Sequence, residues 1–124
     1  MISRTILALA CCVAARAALS QNYPDAAQCA AYWLGRADYA DVSTYLTGEA
    51  EARALGEAFR KAALRLSDDR AQTEALIADQ RPLMSLLSEA YIYGGDEQSR
   101  EISERLVQGC ENLAADLPET GDLR

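Results

Sequence analysis

Histidine is absent from this sequence of 124 residues, and proline occurs only three times. Histidine is the commonest general base and metal ligand in proteins, so its absence excludes Ser-His-Asp catalytic triads, the Glu-x-x-His pairs of di-iron bundles and histidine-ligated haem. The sequence also has no Cys-x-x-Cys motif and no Gly-rich phosphate loop. We therefore expect no cofactor and no metal site.

Positive charge is scarce as well. Lysine and arginine total 12 against 19 aspartates and glutamates, which gives a formal net charge of −7. The basic residues form no cluster along the chain. Proteins that bind DNA or RNA place Lys and Arg against the phosphate backbone, so we expect no nucleic-acid partner.

Paired carboxylates are the one catalytic arrangement that this composition leaves open, because a glycosidase needs only two acids. The candidate acids lie at predicted helix starts or on polar faces, where carboxylates complement the helix dipole. They are Glu49 with Glu51, Asp68 with Asp69, Asp96 with Glu97, and Glu101 with Glu104. We expect a protein that is not an enzyme.

The first twenty residues differ in composition from the rest of the chain. Arg4 precedes an uncharged apolar run at residues 6–15, which is too short for a transmembrane helix of about 20 residues. This pattern is typical of a cleaved signal peptide, with small residues that suit cleavage after Ser20 or, alternatively, after Ala17. We expect residues 1–20 to direct export to the periplasm or outside the cell, with no membrane span in the mature chain. Two other interpretations are a lipoprotein modified at Cys11 and an uncleaved helix.

Two cysteines, Cys29 and Cys110, remain after such a cleavage. In an oxidising compartment a lone pair of cysteines predicts a disulfide. The alternative is two separate buried thiols. Gly109, next to the second cysteine, leaves room for two helices to approach closely.

Helix-favouring residues dominate the remaining chain, and its apolar residues recur every three or four positions. This spacing predicts helical segments near 24–47, 49–66, 69–93 and 96–117, with a short extra helix near 39–46 as an option. The short connections favour an all-α fold, a small antiparallel four-helix bundle tethered by one disulfide. We assign the bundle to residues 21–118 and expect residues 119–124 to fray.

Pro82 lies inside the third predicted helix, on the pattern formed by Ile77, Gln80, Met84, Leu87 and Tyr91. We expect a kink that frees the carbonyl of Ala78. The Gln80 amide either satisfies that carbonyl, the interpretation we favour, or lines a small pocket with Pro82 and Met84. Met84 itself is interpreted as core packing rather than as a haem ligand.

Aromatic residues are concentrated in the early part of the mature chain and at the end of the third helix. Tyrosine is enriched at protein interfaces because it combines a rigid ring with a polar group. The sequence therefore indicates a candidate interaction surface, which consists of Tyr32, Tyr39, Tyr45, Tyr91 and Tyr93. The alternative is that Trp33 packs in the core while the tyrosines cap the ends of the bundle.

These observations favour a non-catalytic exported helical protein that binds another protein or an envelope component. The first alternative is a small-molecule-binding or carboxylate-dependent hydrolytic bundle, and the second is an acid-responsive periplasmic chaperone. In outline, a small exported helical protein with one long-range cysteine pair is similar to acid-activated periplasmic chaperones and periplasmic immunity proteins. The sequence carries no motif specific to either family, and it leaves the oligomeric state open.

Overall fold

The computed structural model describes residues 24–123, so the predicted signal peptide lies outside the described residues. Within this range the chain forms four α-helices that pack against one another, and it contains no strand. They are α1 (Ala26–Val42), α2 (Glu49–Leu66), α3 (Arg70–Ile92) and α4 (Glu97–Ala114), followed by a 3₁₀ helix (Pro118–Leu123). The predicted all-α fold is confirmed.

Aspartate side chains begin three of the four helices. The carboxylates of Asp25, Asp69 and Asp96 accept hydrogen bonds from the backbone N–H groups three residues later, at 2.8, 3.0 and 2.8 Å. Each bond satisfies a donor that has no partner within its helix. The helix starts that were predicted near residues 24, 69 and 96 are confirmed to within a few residues.

The first helix is shorter than predicted, and the optional extra helix near 39–46 is wrong. Residues 39–42 continue α1, whereas residues 43–48 form an irregular connection. In that connection the Ser43 hydroxyl accepts a hydrogen bond from the backbone N–H of Tyr45 at 3.0 Å. Serine and threonine side chains that bond to the local backbone compete with helix formation. Gly48, at φ 85°, then redirects the chain into α2.

Helix α1 is the centre of the fold, with α2 and α3 packed on different sides of it while making little direct contact with each other. Two glycines permit this close packing. A Cβ atom on Gly35 would lie 2.5 Å from the carbonyl oxygen of Arg81 in α3, and one on Gly56 of α2 would lie 2.7 Å from Cγ of Leu34. Among residues 24–123, ten of the 19 buried hydrophobic residues are alanines, which also keep the helices close together.

The disulfide and the predicted direction of the helices agree. Cys29 lies near the start of α1 and Cys110 near the end of α4, so the start of one helix lies beside the end of the other. Gly109 faces Pro24, because a Cβ atom there would approach the proline ring to 2.5 Å. The expected close approach beside Cys110 is confirmed.

The expectation that residues 119–124 fray is wrong for the part that the structure describes, which extends to residue 123. Thr120 is fully buried, and its hydroxyl donates to the carbonyl oxygens of Ala114 and Leu117 at 2.7 and 3.0 Å. Glu119 forms an ion pair with Arg65 of α2. Because these contacts satisfy carbonyls at the end of α4 and attach the segment to α2, it belongs to the folded domain.

Helix α3 continues through Pro82 from Arg70 to Ile92. The Gln80 amide donates no hydrogen bond to the Ala78 carbonyl, and its Oε1 atom is buried without a partner. The favoured interpretation of Gln80 is therefore wrong.

Candidate functional site

The cysteine pair is a structural feature rather than a reactive site. Cys29 and Cys110 form a disulfide with their Cα atoms 5.7 Å apart, and both residues are fully buried. The bond connects α4 to the central helix, with which α4 makes few other contacts. The predicted disulfide is confirmed.

The five tyrosines of the expected interaction surface do not lie together. Tyr32 and Tyr39 are buried, because both are on α1 and that helix is covered by its neighbours. Tyr91 is half-buried. Only Tyr45 and Tyr93 are exposed, and their ring centroids lie 5.3 Å apart. The surface interpretation is therefore wrong for Tyr32 and Tyr39, and it is retained for the Tyr45 and Tyr93 pair.

This ring pair continues into a line of exposed leucines. Leu83 and Leu86 are 62% and 60% exposed, and they lie seven to ten residues before Tyr93 on the same side of α3. We call the surface formed by Leu83, Leu86, Tyr93 and Tyr45 the α3 strip. Neither leucine belongs to the inward pattern that was predicted for this helix, which runs through Ile77, Met84 and Leu87. Their presence outside that pattern was the available signal.

A cleft of about 930 Å³ lies between α2 and α3 over the middle of α1. Of the three residues that were expected to line a small pocket, Pro82 lines this cleft, whereas Gln80 and Met84 do not. Arg60 of α2 forms two hydrogen bonds with Glu74 of α3, one of them at 2.9 Å, and a further ion pair with Glu57. The Arg60–Glu74 ion pair connects two helices that otherwise make few contacts with each other.

The remaining charges of the cleft are also paired. Arg81 donates to both carboxylate oxygens of Asp38 at 2.6 and 2.7 Å, and Arg53 lies 3.6 Å from the same carboxylate. The hydrogen bonds from Arg81 hold the pKa of the Asp38 carboxyl below its ordinary value, against the opposing effect of partial burial. Because each charged residue in its lining has a partner, this cleft is better suited to holding helices together than to recognising a ligand.

A smaller cavity of about 420 Å³ lies between α1, α4 and the end of α3. Its walls include Tyr32 and Trp33, whose rings meet edge to face with centroids 5.1 Å apart, together with Tyr91. The Tyr32 hydroxyl, the Trp33 indole nitrogen and the Ser103 hydroxyl are buried without hydrogen-bond partners. Burial raises the pKa of the Tyr32 hydroxyl, and the positive charge of nearby Arg36 opposes that rise.

Comparison of the chain with protein-family models, with curated proteins and with solved structures finds no match. The site must therefore be interpreted from its own chemistry. Within residues 24–123, no helix is long and apolar enough to cross a membrane, and no group of three or more Cys, Asp or Glu side chains is placed to hold a metal ion.

Ser103 and Arg36 are the residues of the smaller cavity that sequence reasoning missed. Ser103 follows Ile102, which the spacing of four residues back from Leu106 and Cys110 would place on the inward face of α4. In the structure Ser103 is buried and Ile102 is 37% exposed, so the inward face lies further round the helix. A serine beside an apolar stripe gave little indication of this, because serine is common on solvated faces.

Proposed function

We propose that this protein is an exported, non-catalytic binding protein that recognises a partner protein through the α3 strip. The buried disulfide supports export, because stable disulfides are typical of oxidising compartments. The apolar N-terminal run and the small residues that follow it support the same location.

The exposed leucines of α3 are the observation that carries the proposal. Isolated exposed apolar residues are normal on protein surfaces, but connected apolar patches often mark interaction sites. Leu83, Leu86 and Tyr93 follow one side of a single helix, and the ring of Tyr45 extends the patch from the α1–α2 connection. None of these side chains is needed to fill the core.

Charge indicates the chemistry of the partner. Asp79 lies one turn before Leu83, and Glu89 lies one turn after Leu86. Both acids are exposed, and neither forms an ion pair within the described part of the chain. We therefore infer that the partner segment is an amphipathic helix with leucine-like residues on one side and Lys or Arg at its margins.

The same acids disfavour two other ways of covering the α3 strip, by a second copy of this chain or by an anionic lipid surface. Antiparallel pairing of two copies about the centre of Leu83 and Leu86 would place Asp79 of one copy beside Glu89 of the other. Like charges facing each other across an interface oppose association. An anionic lipid surface would likewise be repelled by these carboxylates.

The test is titration of the mature chain with a synthetic amphipathic helix made of leucine and lysine, followed by calorimetry. A peptide with leucine and glutamate in the same order tests the sign of the charge. We expect the lysine peptide to bind and the double variant Leu83→Ser/Leu86→Ser to weaken that binding at least ten-fold. Leu66→Ser is the matched control, because Leu66 is also 60% exposed but is the last residue of α2 and does not belong to the α3 strip.

Three results would overturn the proposal. The first is equal affinity for the glutamate peptide, and the second is an equal loss of affinity in Leu66→Ser. The third is a dimer in sedimentation experiments that dissociates when Leu83 and Leu86 are replaced, because a second copy would then cover the strip.

A further inference from the structure

The exposed side of α3 carries a regular pattern of its own. Six residues recur there in alternating steps of three and four positions: Leu76, Asp79, Leu83, Leu86, Ala90 and Tyr93. We call these six residues the α3 seam. Its three leucines are 42%, 62% and 60% exposed, and its tyrosine is 66% exposed. The seam runs for about 25 Å at the rise of an α-helix.

Alternating steps of three and four add up to a repeat of seven residues. This repeat keeps one face of a helix turned toward a second helix that lies along it, as in a coiled coil. Ile77, which is buried against α1, precedes no member of the seam by three or four residues, so the seam is distinct from the side of α3 that packs in the core. The partner that fits the seam is therefore a helix with the same seven-residue repeat.

Asp79 is the one charged member of the α3 seam. It lies three residues after Leu76 and four before Leu83, so its carboxylate is placed between two leucines on the same side of the helix. Asp79 is exposed and forms no ion pair within residues 24–123. A single polar residue in such a seam fixes register and partner, because an apolar side chain opposite it would remove its water without replacing it.

We propose that Asp79 sets the register of the partner helix by pairing with a Lys or Arg that lies within the partner's apolar side. This inference rests on the proposed function, and it adds a basic residue in the middle of the contact to those at its margins. Two copies of this chain that paired in parallel would bring two Asp79 carboxylates together, so the same residue opposes self-association.

An exchange of charge tests the pairing. Two synthetic peptides of about three heptads carry leucine at the seam positions and lysine at the margins. They differ only at one seam position between leucines, which is lysine in the first peptide and glutamate in the second. In calorimetric titrations the mature wild-type chain should bind the inner-lysine peptide at least about ten-fold more tightly. Asp79→Lys should reverse this preference, because the attraction and the repulsion change places.

Two further variants complete the design. Glu89→Lys is the matched control, because Glu89 is an exposed acid of α3 that is not a member of the seam and forms no ion pair within the described residues. It should change the affinity for both peptides by the same factor and keep the preference for the inner lysine. Asp79→Asn keeps the size of the side chain and should reduce that preference to about three-fold or less. Far-ultraviolet circular dichroism would verify the fold of each variant.

The outcomes separate this inference from the proposed function. If the wild-type chain binds neither peptide, both fail. If it binds the two peptides equally, the role of Asp79 fails while partner binding by the α3 strip stands. An unchanged preference in Asp79→Lys and Asp79→Asn would also overturn the inference, as would an equal loss of preference in Glu89→Lys.

Discussion

Helices α1 and α3 pack against each other but differ in what they bury. Helix α1 buries ten of its 17 residues, and most of these are alanine or glycine. Helix α3 is longer and richer in leucine, yet it buries only Ile77 and Ser88 among its 23 residues. In this protein, small side chains hold the centre of the fold while many of the large aliphatic ones face outward.

The size of the side chains explains the difference. Alanine and glycine on α1 allow α2 and α3 to approach from two sides, so the core needs few large residues. The outward leucines of α3 therefore contribute little to folding, which makes them free to contact a partner. We therefore expect large changes in the free energy of unfolding when the packing around α1 is altered, and small changes when the outer face of α3 is altered.

Loss of the disulfide should have the largest effect. Cys29 and Cys110 are 81 residues apart in sequence, and opening a loop of that size costs about 4–5 kcal/mol in the chain-entropy treatment. Urea denaturation followed by circular dichroism, with and without reductant, measures the change. Hydrogen exchange should show α4 losing protection before α1, because α4 has few other contacts with the central helix. Equal protection of both helices after reduction would contradict the proposed centre of the fold.

Gly35→Ala should have the next largest effect. The added Cβ atom would lie 2.5 Å from the Arg81 carbonyl oxygen and 2.8 Å from the Ser85 nitrogen, and both are backbone atoms that move only with the helix. Overpacking of this kind costs about 1–3 kcal/mol. Gly121→Ala is the control, because a Cβ atom there meets nothing within 4 Å. Thermal unfolding of both variants would test the prediction, and equal midpoints would refute it.

Sequence patterns predicted the helices because these depend on local signals, and they predicted the disulfide because only Cys29 and Cys110 follow the predicted cleavage site. Aspartate caps, glycine turns and apolar spacing are each visible within a few residues. The position of α1 at the centre depends instead on contacts between distant segments, such as Gly35 with Arg81 and Gly56 with Leu34. The burial of Ser103 and Thr120 was not predicted for the same reason, because a small polar residue gives no sign of burial until its neighbours in space are known.

The ion pair between Asp38 of α1 and Arg81 of α3 predicts that the stability of the fold falls in acid. Arg81 lowers the pKa of the Asp38 carboxyl in the folded state. The stabilisation from this ion pair is therefore present above the pKa of about 4 that Asp38 has in the unfolded state, and it is lost as the pH falls through the lower pKa of the folded state. Asp38→Asn should therefore reduce the drop in melting temperature between neutral pH and pH values below about 4. The control is Asp41→Asn, an exposed acid on the same helix with no ion pair within residues 24–123. An equal drop in the wild-type protein and Asp38→Asn would contradict the prediction.

The smallest effect is expected on the outer face of α3. Replacing both Leu83 and Leu86 by Gln should change the free energy of unfolding by about 0.5 kcal/mol or less per site, because both side chains are already mostly exposed to water. Ile77→Ala on the same helix should cost about 2–5 kcal/mol, because Ile77 is only 4% exposed and belongs to the core. Urea denaturation of the two variants at neutral pH makes the comparison directly. A large loss of stability in the Leu83/Leu86 variant would show that the leucines support the fold, and it would remove the reason for assigning them to a partner.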